Sequence, residues 1–180
     1  PVPSRAPPLP RKRAGCGARG GARARRSPSS SARVAVVLRR YVGCFRDAKR
    51  LRGLNTTVHA GEAVRPDDVR SAVEEMRVDR VGHAYAAAGN ASLVALLRRS
   101  GVHVEACPPG AARQGVLDAI GAFARAGLSF GLNEDDPAPQ FANCSMASAE
   151  ALVRDELGLT DDDIAAAYAS ARAAAFGPTE

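Results

Sequence analysis

From residue 54 to the C terminus, two kinds of hydrophobic pattern alternate along the chain. Short runs rich in strand-forming residues are separated by stretches in which apolar residues recur every three or four positions. The short runs predict four strands, at 54–59, 78–83, 102–107 and 128–135. The longer stretches predict five helices, at 66–76, 90–99, 115–126, 147–157 and 161–175. Strands that alternate with helices are typical of an α/β fold with a parallel sheet.

Each predicted strand ends in a residue that can bind a metal or move a proton. These residues are His59, His83, Cys107 and Asp135. An open doubly wound sheet and a (β/α)8 barrel both fit the alternation, but a barrel brings all the carboxyl ends of its strands to one mouth. The four polar endings therefore favour a barrel. His103 stands at the start of a strand, so we expect it at the opposite end of the fold.

The length of the chain limits how much of a barrel it can form. A complete (β/α)8 barrel typically needs about 250 residues, and the chain has 180. Hydrophobic residues make up 46% of the sequence but aromatic residues only 4%, so the core must be built from Ala, Val and Leu. The composition is that of a globular α/β chain.

The N-terminal segment has a different composition. Residues 1–44 are rich in Arg, Pro, Ser and Ala and offer little to bury, so they are predicted to be disordered, with the folded domain at 45–178. Fourteen Lys and Arg residues fall within the first fifty positions, where Asp47 is the single acid, whereas acids are in excess afterwards. A linker and an organellar transit peptide are both open interpretations. Nucleic-acid binding is a weaker one, because no aromatic residue precedes Tyr41 to stack on bases.

Cysteine spacing and hydropathy exclude several classes. The four cysteines form no Cys-x-x-Cys pair, so neither a zinc knuckle nor a redox dithiol is indicated. No apolar run approaches the ~18 residues of a membrane helix. The sequence thus predicts a soluble, cytoplasmic protein with no membrane partner, or an organellar one if the N-terminal segment is a transit peptide.

Three short motifs carry candidate chemistry. His59 is followed three positions later by Glu62, with Gly61 allowing a sharp turn between them, which can hold a metal and place an acid beside its water. His83 ends the next strand, where a structural histidine is an equally good interpretation. Asp135 and Asp136 are adjacent carboxylates that repel each other unless a cation or donor stabilises them, although an exposed acidic turn is the plain alternative.

Four motifs in this order resemble the second half of the adenosine deaminase family of metal-dependent hydrolases. They are Thr57-Val-His-Ala-Gly-Glu62, Arg80-Val-Gly-His83, Glu105-Ala-Cys-Pro108 and Leu132-Asn-Glu-Asp-Asp-Pro137. The resemblance implies the C-terminal half of a (β/α)8 barrel preceded by a disordered basic tail. It also implies a site that holds one Zn²⁺ and hydrolyses adenosine to inosine, the reaction of purine salvage and catabolism.

The same resemblance assigns roles to the motif residues. It implies that His59 and Asp135 are zinc ligands, with Asp135 also in contact with the attacking water. Glu62 would protonate the purine ring, and His83 would orient that water. Gly61 and Asp136 would contact the substrate.

The chain lacks part of the family pattern. The family's first strand carries a His-x-His pair that binds zinc, but no histidine precedes His59 here, so the ion would be incompletely coordinated by this chain. Three hypotheses follow: a truncated deaminase, a degenerate non-catalytic relative, and a basic-tailed nucleic-acid-associated protein. Four strands would also leave two open barrel edges, through which the chain can self-associate. Adenosine, adenine and AMP remain alternative substrates.

Overall fold

The computed structural model describes residues 30–62, 65–135 and 145–177. Four short strands alternate with helices in the predicted order. The strands are β1 (Thr57–Ala60), β2 (Arg80–His83), β3 (His103–Ala106) and β4 (Phe130–Leu132). The helices are α1 (Ser30–Arg52), α2 (Pro66–Arg70), which continues as a π-helical segment (Ser71–Met76), α3 (Ala91–Ser100), α4 (Pro108–Arg113), α5 (Asp118–Arg125), α6 (Met146–Leu157) and α7 (Asp161–Ala173).

The strands form one parallel sheet in the order β1-β2-β3-β4. Its register places His59 beside Gly82, Gly82 beside Glu105, and Glu105 beside Gly131. Side chains alternate between the two faces of a strand, so this row lies on one face, here called the inner face. The sequential strand order and the alternating helices confirm the predicted partial barrel.

The hydrophobic core lies between the other face of the sheet and the helices. Val81 and Val104 are fully buried there, and Phe130 nearly so. Phe123 and Ile120 of α5 are likewise fully buried. Aliphatic residues make up most of this core, as the composition predicts.

Helix boundaries follow local capping chemistry. Pro66 occupies the first turn of α2 and is followed by acids that favour the positive end of the helix. The Asn90 side chain accepts hydrogen bonds from the backbone N–H groups of Ser92 and Leu93 and so begins α3. Thr160 and Asp163 form a capping box at the start of α7. The predicted start of α7 is therefore confirmed.

The structure places helix α1 where the sequence predicts disorder up to residue 44. Residues 30–44 are helical, so that boundary is wrong, while residues 1–29 lie outside the described part. Val42 and Phe45 pack against the core, and Arg46 donates a hydrogen bond from Nε to the carbonyl oxygen of Glu75 at 2.6 Å. These contacts offset the conformational entropy that is lost when the helix forms. The basic composition of the segment does not reveal them.

The inner face of the sheet carries a polar network, which is set back from the carboxyl ends of the strands. Arg80 Nε lies 2.6 Å from Glu105 Oε1, which also accepts a hydrogen bond from Thr57 Oγ1 at 3.0 Å. The network joins three strands. The C-terminal part of α7 reaches the same face, because the Phe176 ring lies 4.7 Å from the Arg80 guanidinium carbon and Ala171 lies close to Gly131.

Within the described ranges, no helix is long and apolar enough to cross a membrane. The cytoplasmic location stays a prediction.

His103 lies at the start of β3, as expected, and is buried. Its Nδ1 is 2.9 Å from Ser129 Oγ. Burial, together with the nearby Arg80 guanidinium, lowers the pKa of His103 from 6.5 to about 4, and Glu105 opposes the shift. Between these two values the unfolded chain binds a proton that the native chain does not, so stability falls as the pH falls.

We therefore expect His103→Gln to flatten the pH dependence of stability. At 1.36 kcal/mol per pKa unit, the wild-type chain should lose about 3 kcal/mol more than the variant between pH 6.5 and pH 4. Urea unfolding of both proteins across this range measures the difference. Parallel curves would show that His103 titrates normally in the native state.

Candidate active site

The carboxyl ends of the strands bring three predicted site residues together. His59 is the third residue of β1, His83 is the last residue of β2, and Asp135 follows β4. One ligand atom from each lies within 4.8 Å of the others. His83 is almost completely buried, whereas His59 and Asp135 are exposed.

His83 is at the centre of the cluster. Its Nε2 atom lies 2.7 Å from His59 Nδ1, 3.6 Å from Asp135 Oδ2 and 3.8 Å from Glu62 Oε2. The structure thus places His59, Glu62, His83 and Asp135 at one mouth. Asp136 lies outside the described residues, and its substrate contact stays a prediction.

The backbone around the cluster is unusual at three positions. Gly61 has φ +74°, and a Cβ there would overlap the Val69 side chain, so glycine is required for the turn between His59 and Glu62. His83 and Ala84 have φ +69° and +51°, which non-glycine residues adopt infrequently. Such conformations collect at functional sites. The predicted substrate contact of Gly61 is a separate role that stays a prediction.

The environment of His83 favours its neutral form. Burial lowers the pKa of His83 most, Glu62 opposes the change, His59 adds to it, and Asp135 opposes it. The buried Nδ1 atom has no hydrogen-bond partner among the described residues. A neutral imidazole can either donate or accept at the nitrogen facing the cluster.

The donor set suits zinc. Zn²⁺ binds imidazole nitrogens and carboxylate oxygens, and catalytic sites normally offer three protein ligands and one open position. His59 and Asp135 supply two donors, and His83 is the third donor in the described cluster. The residues therefore fit the ion, and the ligand set reaches three only if His83 joins it.

Cys107 does not join the cluster, although it follows β3. It is buried, and burial, with the nearby Asp135 carboxylate, raises the pKa of its thiol to about 12. A neutral thiol is a poor metal ligand. The Tyr85 hydroxyl donates to the Cys107 carbonyl oxygen at 3.2 Å and accepts from its N–H at 3.0 Å, so this position fastens two strand ends together.

Gln114 is a site contact that the sequence does not predict. Its Nε2 donates a hydrogen bond to Glu62 Oε1 at 2.8 Å, from the residue that follows α4. The two residues are separated by 52 positions. No motif or spacing marks this glutamine, because the contact depends on how α4 turns back over the mouth.

Parallel strands in sequential order, with two histidines and an aspartate at or beyond their carboxyl ends, define the chain as part of a barrel with a candidate metal site. The family model for adenosine deaminase matches residues 30–180. The chain therefore belongs to the adenosine deaminase family. The predicted fold class, the C-terminal half of a (β/α)8 barrel, is confirmed by solved relatives of which it covers about 40%.

Individual relatives agree with this assignment. Mouse adenosine deaminase is 29% identical over 133 residues, which are 71% of this chain and 37% of the mouse protein. An adenosine deaminase of Yersinia pseudotuberculosis is 30% identical over 78% of this chain and 42% of its own length. An adenine deaminase of Chelativorans is 34% identical, over 72% and 41%. The chain thus spans about two fifths of these relatives.

Solved structures show the same fold. A zinc-bound amidohydrolase from Burkholderia ambifaria has a TM-score of 0.66 at 24% identity, over 77% of this chain and 40% of its own. Adenine deaminase from Arthrobacter aurescens has a TM-score of 0.63 at 23% identity, over 78% and 44%.

Proposed function

We propose that this chain supplies the C-terminal half of a zinc-dependent site that hydrolytically removes the 6-amino group of a purine, with adenosine as the favoured substrate. The observation that carries the proposal is the convergence of His59, His83 and Asp135, with Glu62 beside them. The Burkholderia relative with bound zinc supports the choice of ion.

His59 and Asp135 would hold the zinc ion. When bound, Zn²⁺ lowers the pKa of a coordinated water to about 7. This assignment follows the chemistry of the donor set, since one imidazole and one carboxylate face the same space.

Glu62 would carry a proton to the purine ring. The Gln114 amide binds Glu62 Oε1, which leaves Oε2 directed toward His83 at 3.8 Å. Protonation of a ring nitrogen makes the carbon that bears the amino group more electrophilic. The water oxygen would then add to that carbon as one water proton passes to Asp135. The amino group would take this proton and leave as ammonia, and the remaining hydroxyl would return a proton to Glu62 as the carbonyl forms.

His83 and Asp135 would orient the attacking water. His83 is buried, and burial lowers its pKa and so favours the neutral form; its Nε2 would hydrogen-bond the water from a fixed position and stabilise developing charge. Asp135 lies 3.6 Å from that nitrogen and would accept a proton from the same water.

The choice of adenosine rests on the relatives, which also include adenine deaminases and an Arabidopsis N6-mAMP deaminase. The substrates in these names all contain a purine with a nitrogen substituent, and they differ in the sugar and the phosphate. Gly61 and Asp136 would contact the purine, which all of these substrates have in common.

Ammonia release measured on adenosine, adenine and AMP tests the proposal. The chain alone should be inactive even with added zinc, because one copy offers too few ligands. Co-expression with the N-terminal half of the Yersinia relative should give turnover, with adenosine preferred. A folded, zinc-loaded and inactive complex would favour a non-catalytic binding role instead.

A further inference from the structure

The two carboxylate oxygens of Glu62 have different surroundings. Oε1 accepts a hydrogen bond of 2.8 Å from the side-chain amide of Gln114, whereas Oε2 faces His83 Nε2 at 3.8 Å, which is beyond hydrogen-bond distance. The Glu62 side chain is 42% exposed. Because the terminal torsion of a glutamate is broad, an exposed carboxylate without such a contact would adopt many orientations. The contact with Gln114 therefore selects one.

The contact also makes the two oxygens chemically unequal. The nitrogen of a glutamine amide donates hydrogen bonds and does not accept them, and a protonated carboxyl group carries one O–H. As long as Oε1 accepts from Gln114, the proton of a protonated Glu62 belongs on Oε2. That oxygen faces the mouth, where His59, His83 and Asp135 converge.

The start of α4 is fixed, and this limits where Gln114 can lie. Cys107, which precedes the helix, exchanges two hydrogen bonds with the Tyr85 hydroxyl through its N–H and carbonyl groups. Pro108 and Ala111 of the helix are fully buried. A helix held at its first turn and along its buried side has little freedom to move relative to the strands.

The end of α4 is closed by its own backbone. The Gln114 N–H donates to the carbonyl oxygen of Gly110 at 3.1 Å, and the Val116 N–H donates to that of Ala111 at 2.9 Å. Gly115, with φ +69°, makes the turn between them. The helix end thus needs nothing from the Gln114 side chain, which is exposed and extends from α4 to the turn after β1.

Proton transfer should strengthen this contact. A hydrogen bond to an ionised group is roughly twice as strong as one between neutral groups, and Glu62 becomes a carboxylate as its proton leaves. The Gln114 amide thus interacts better with Glu62 after the transfer than before it. Interactions that improve toward the transition state are the ones that accelerate a reaction.

We infer that Gln114 is a positioning residue for Glu62: its amide keeps Oε1 as an acceptor, so the proton leaves from Oε2. In that step the O–H bond at Oε2 breaks, an N–H bond forms at the purine ring, and the carboxylate is left paired with the Gln114 amide. The inference rests on the proposed function, in which Glu62 carries the proton. Gln114 itself exchanges no proton with the substrate.

The completed barrel, formed with the N-terminal half of the Yersinia relative, tests the effect on turnover. Gln114→Leu removes the donor and should lower kcat about 10- to 100-fold, the range expected when a reacting group is misplaced. KM should change less than about 3-fold, because the contact is not with the substrate. Zinc content should stay the same.

Two further variants separate positioning from a structural role. Gln114→Glu keeps the shape of the side chain but cannot donate when ionised, so it should lose at least as much turnover as Gln114→Leu. Glu62→Gln has no proton to deliver, so adding Gln114→Leu to it should cause no further loss. Full activity of Gln114→Glu, or losses that multiply in the double variant, would overturn the inference.

Water-exchange NMR on the chain alone tests the contact without any turnover. The Gln114 side-chain amide hydrogens should exchange about 2- to 10-fold more slowly in the wild-type chain than in a Glu62→Leu variant, the ratio that a net hydrogen bond of this kind provides. Glu74→Leu, a change of the same kind away from the mouth, should leave the exchange rate unaltered. Equal rates in the wild-type chain and in Glu62→Leu would contradict the inference.

The outcomes distinguish this inference from the proposed function. An active wild-type complex together with a fully active Gln114→Leu variant would defeat the inference alone. An inactive wild-type complex would contradict the proposed function and, with it, the role assigned to Gln114.

Discussion

Replacing Glu62 with glutamine in the completed barrel is expected to lower turnover of adenosine by about 10²–10⁴-fold, the usual contribution of a positioned proton carrier. Glutamine keeps the shape of the side chain and can still accept the hydrogen bond from Gln114. It cannot deliver a proton. Zinc content should not change, because Glu62 is not one of the proposed ligands.

Steady-state kinetics and metal analysis of the same preparation check this prediction. Glu74→Gln is a matched control, since Glu74 lies on the π-helical segment and pairs with Arg70 away from the mouth. The control should keep full activity. Less than a tenfold loss in the Glu62 variant would remove this residue from the mechanism, and loss of zinc would make it a ligand instead.

Replacing Gly61 with alanine is expected to destabilise the folded chain by about 3 kcal/mol. A left-handed conformation costs a non-glycine residue roughly 1–2 kcal/mol, and overpacking adds typically 1–3 kcal/mol. Both apply here, because Gly61 has a positive φ and its new methyl group would overlap Val69. The loss corresponds to a factor on the order of 100 in the folded-to-unfolded ratio.

Denaturant unfolding of Gly61→Ala beside Gly89→Ala measures this effect. Open space surrounds Gly89, which does not have a positive φ, so alanine should be tolerated there. Equal stability of the two variants would mean that the turn relaxes readily and that Gly61 is needed for another reason, such as substrate contact.

Much of the fold follows from hydrophobic spacing. Each observed strand either lies within a predicted run or extends one residue past its end. The agreement arises because buried parallel strands need apolar residues, so a short apolar run locates a strand without knowledge of its neighbours. The capping residues Asn90 and Thr160 mark helix starts through local hydrogen bonds. Such signals need no knowledge of distant contacts.

Other features depend on contacts that local patterns do not encode. The basic composition of helix α1 predicts disorder, but the packing of Val42 and Phe45 against the core orders the helix. Helix α4 begins with two prolines, which indicate a turn as readily as a first helical turn. For the site, the strand endings predict His59, His83 and Asp135, but the link from Gln114 to Glu62 requires the tertiary structure.

The consecutive left-handed residues His83 and Ala84 bear on the energetics of ligand capture. Conformations of this kind cost of order 1–3 kcal/mol each, and this cost is already met in the ligand-free fold. An arriving ion or purine therefore meets a preorganised histidine and need not spend its own binding energy on bending the chain. Any mutation that relaxes this corner should raise stability while weakening affinity, the trade-off expected where rigidity serves recognition.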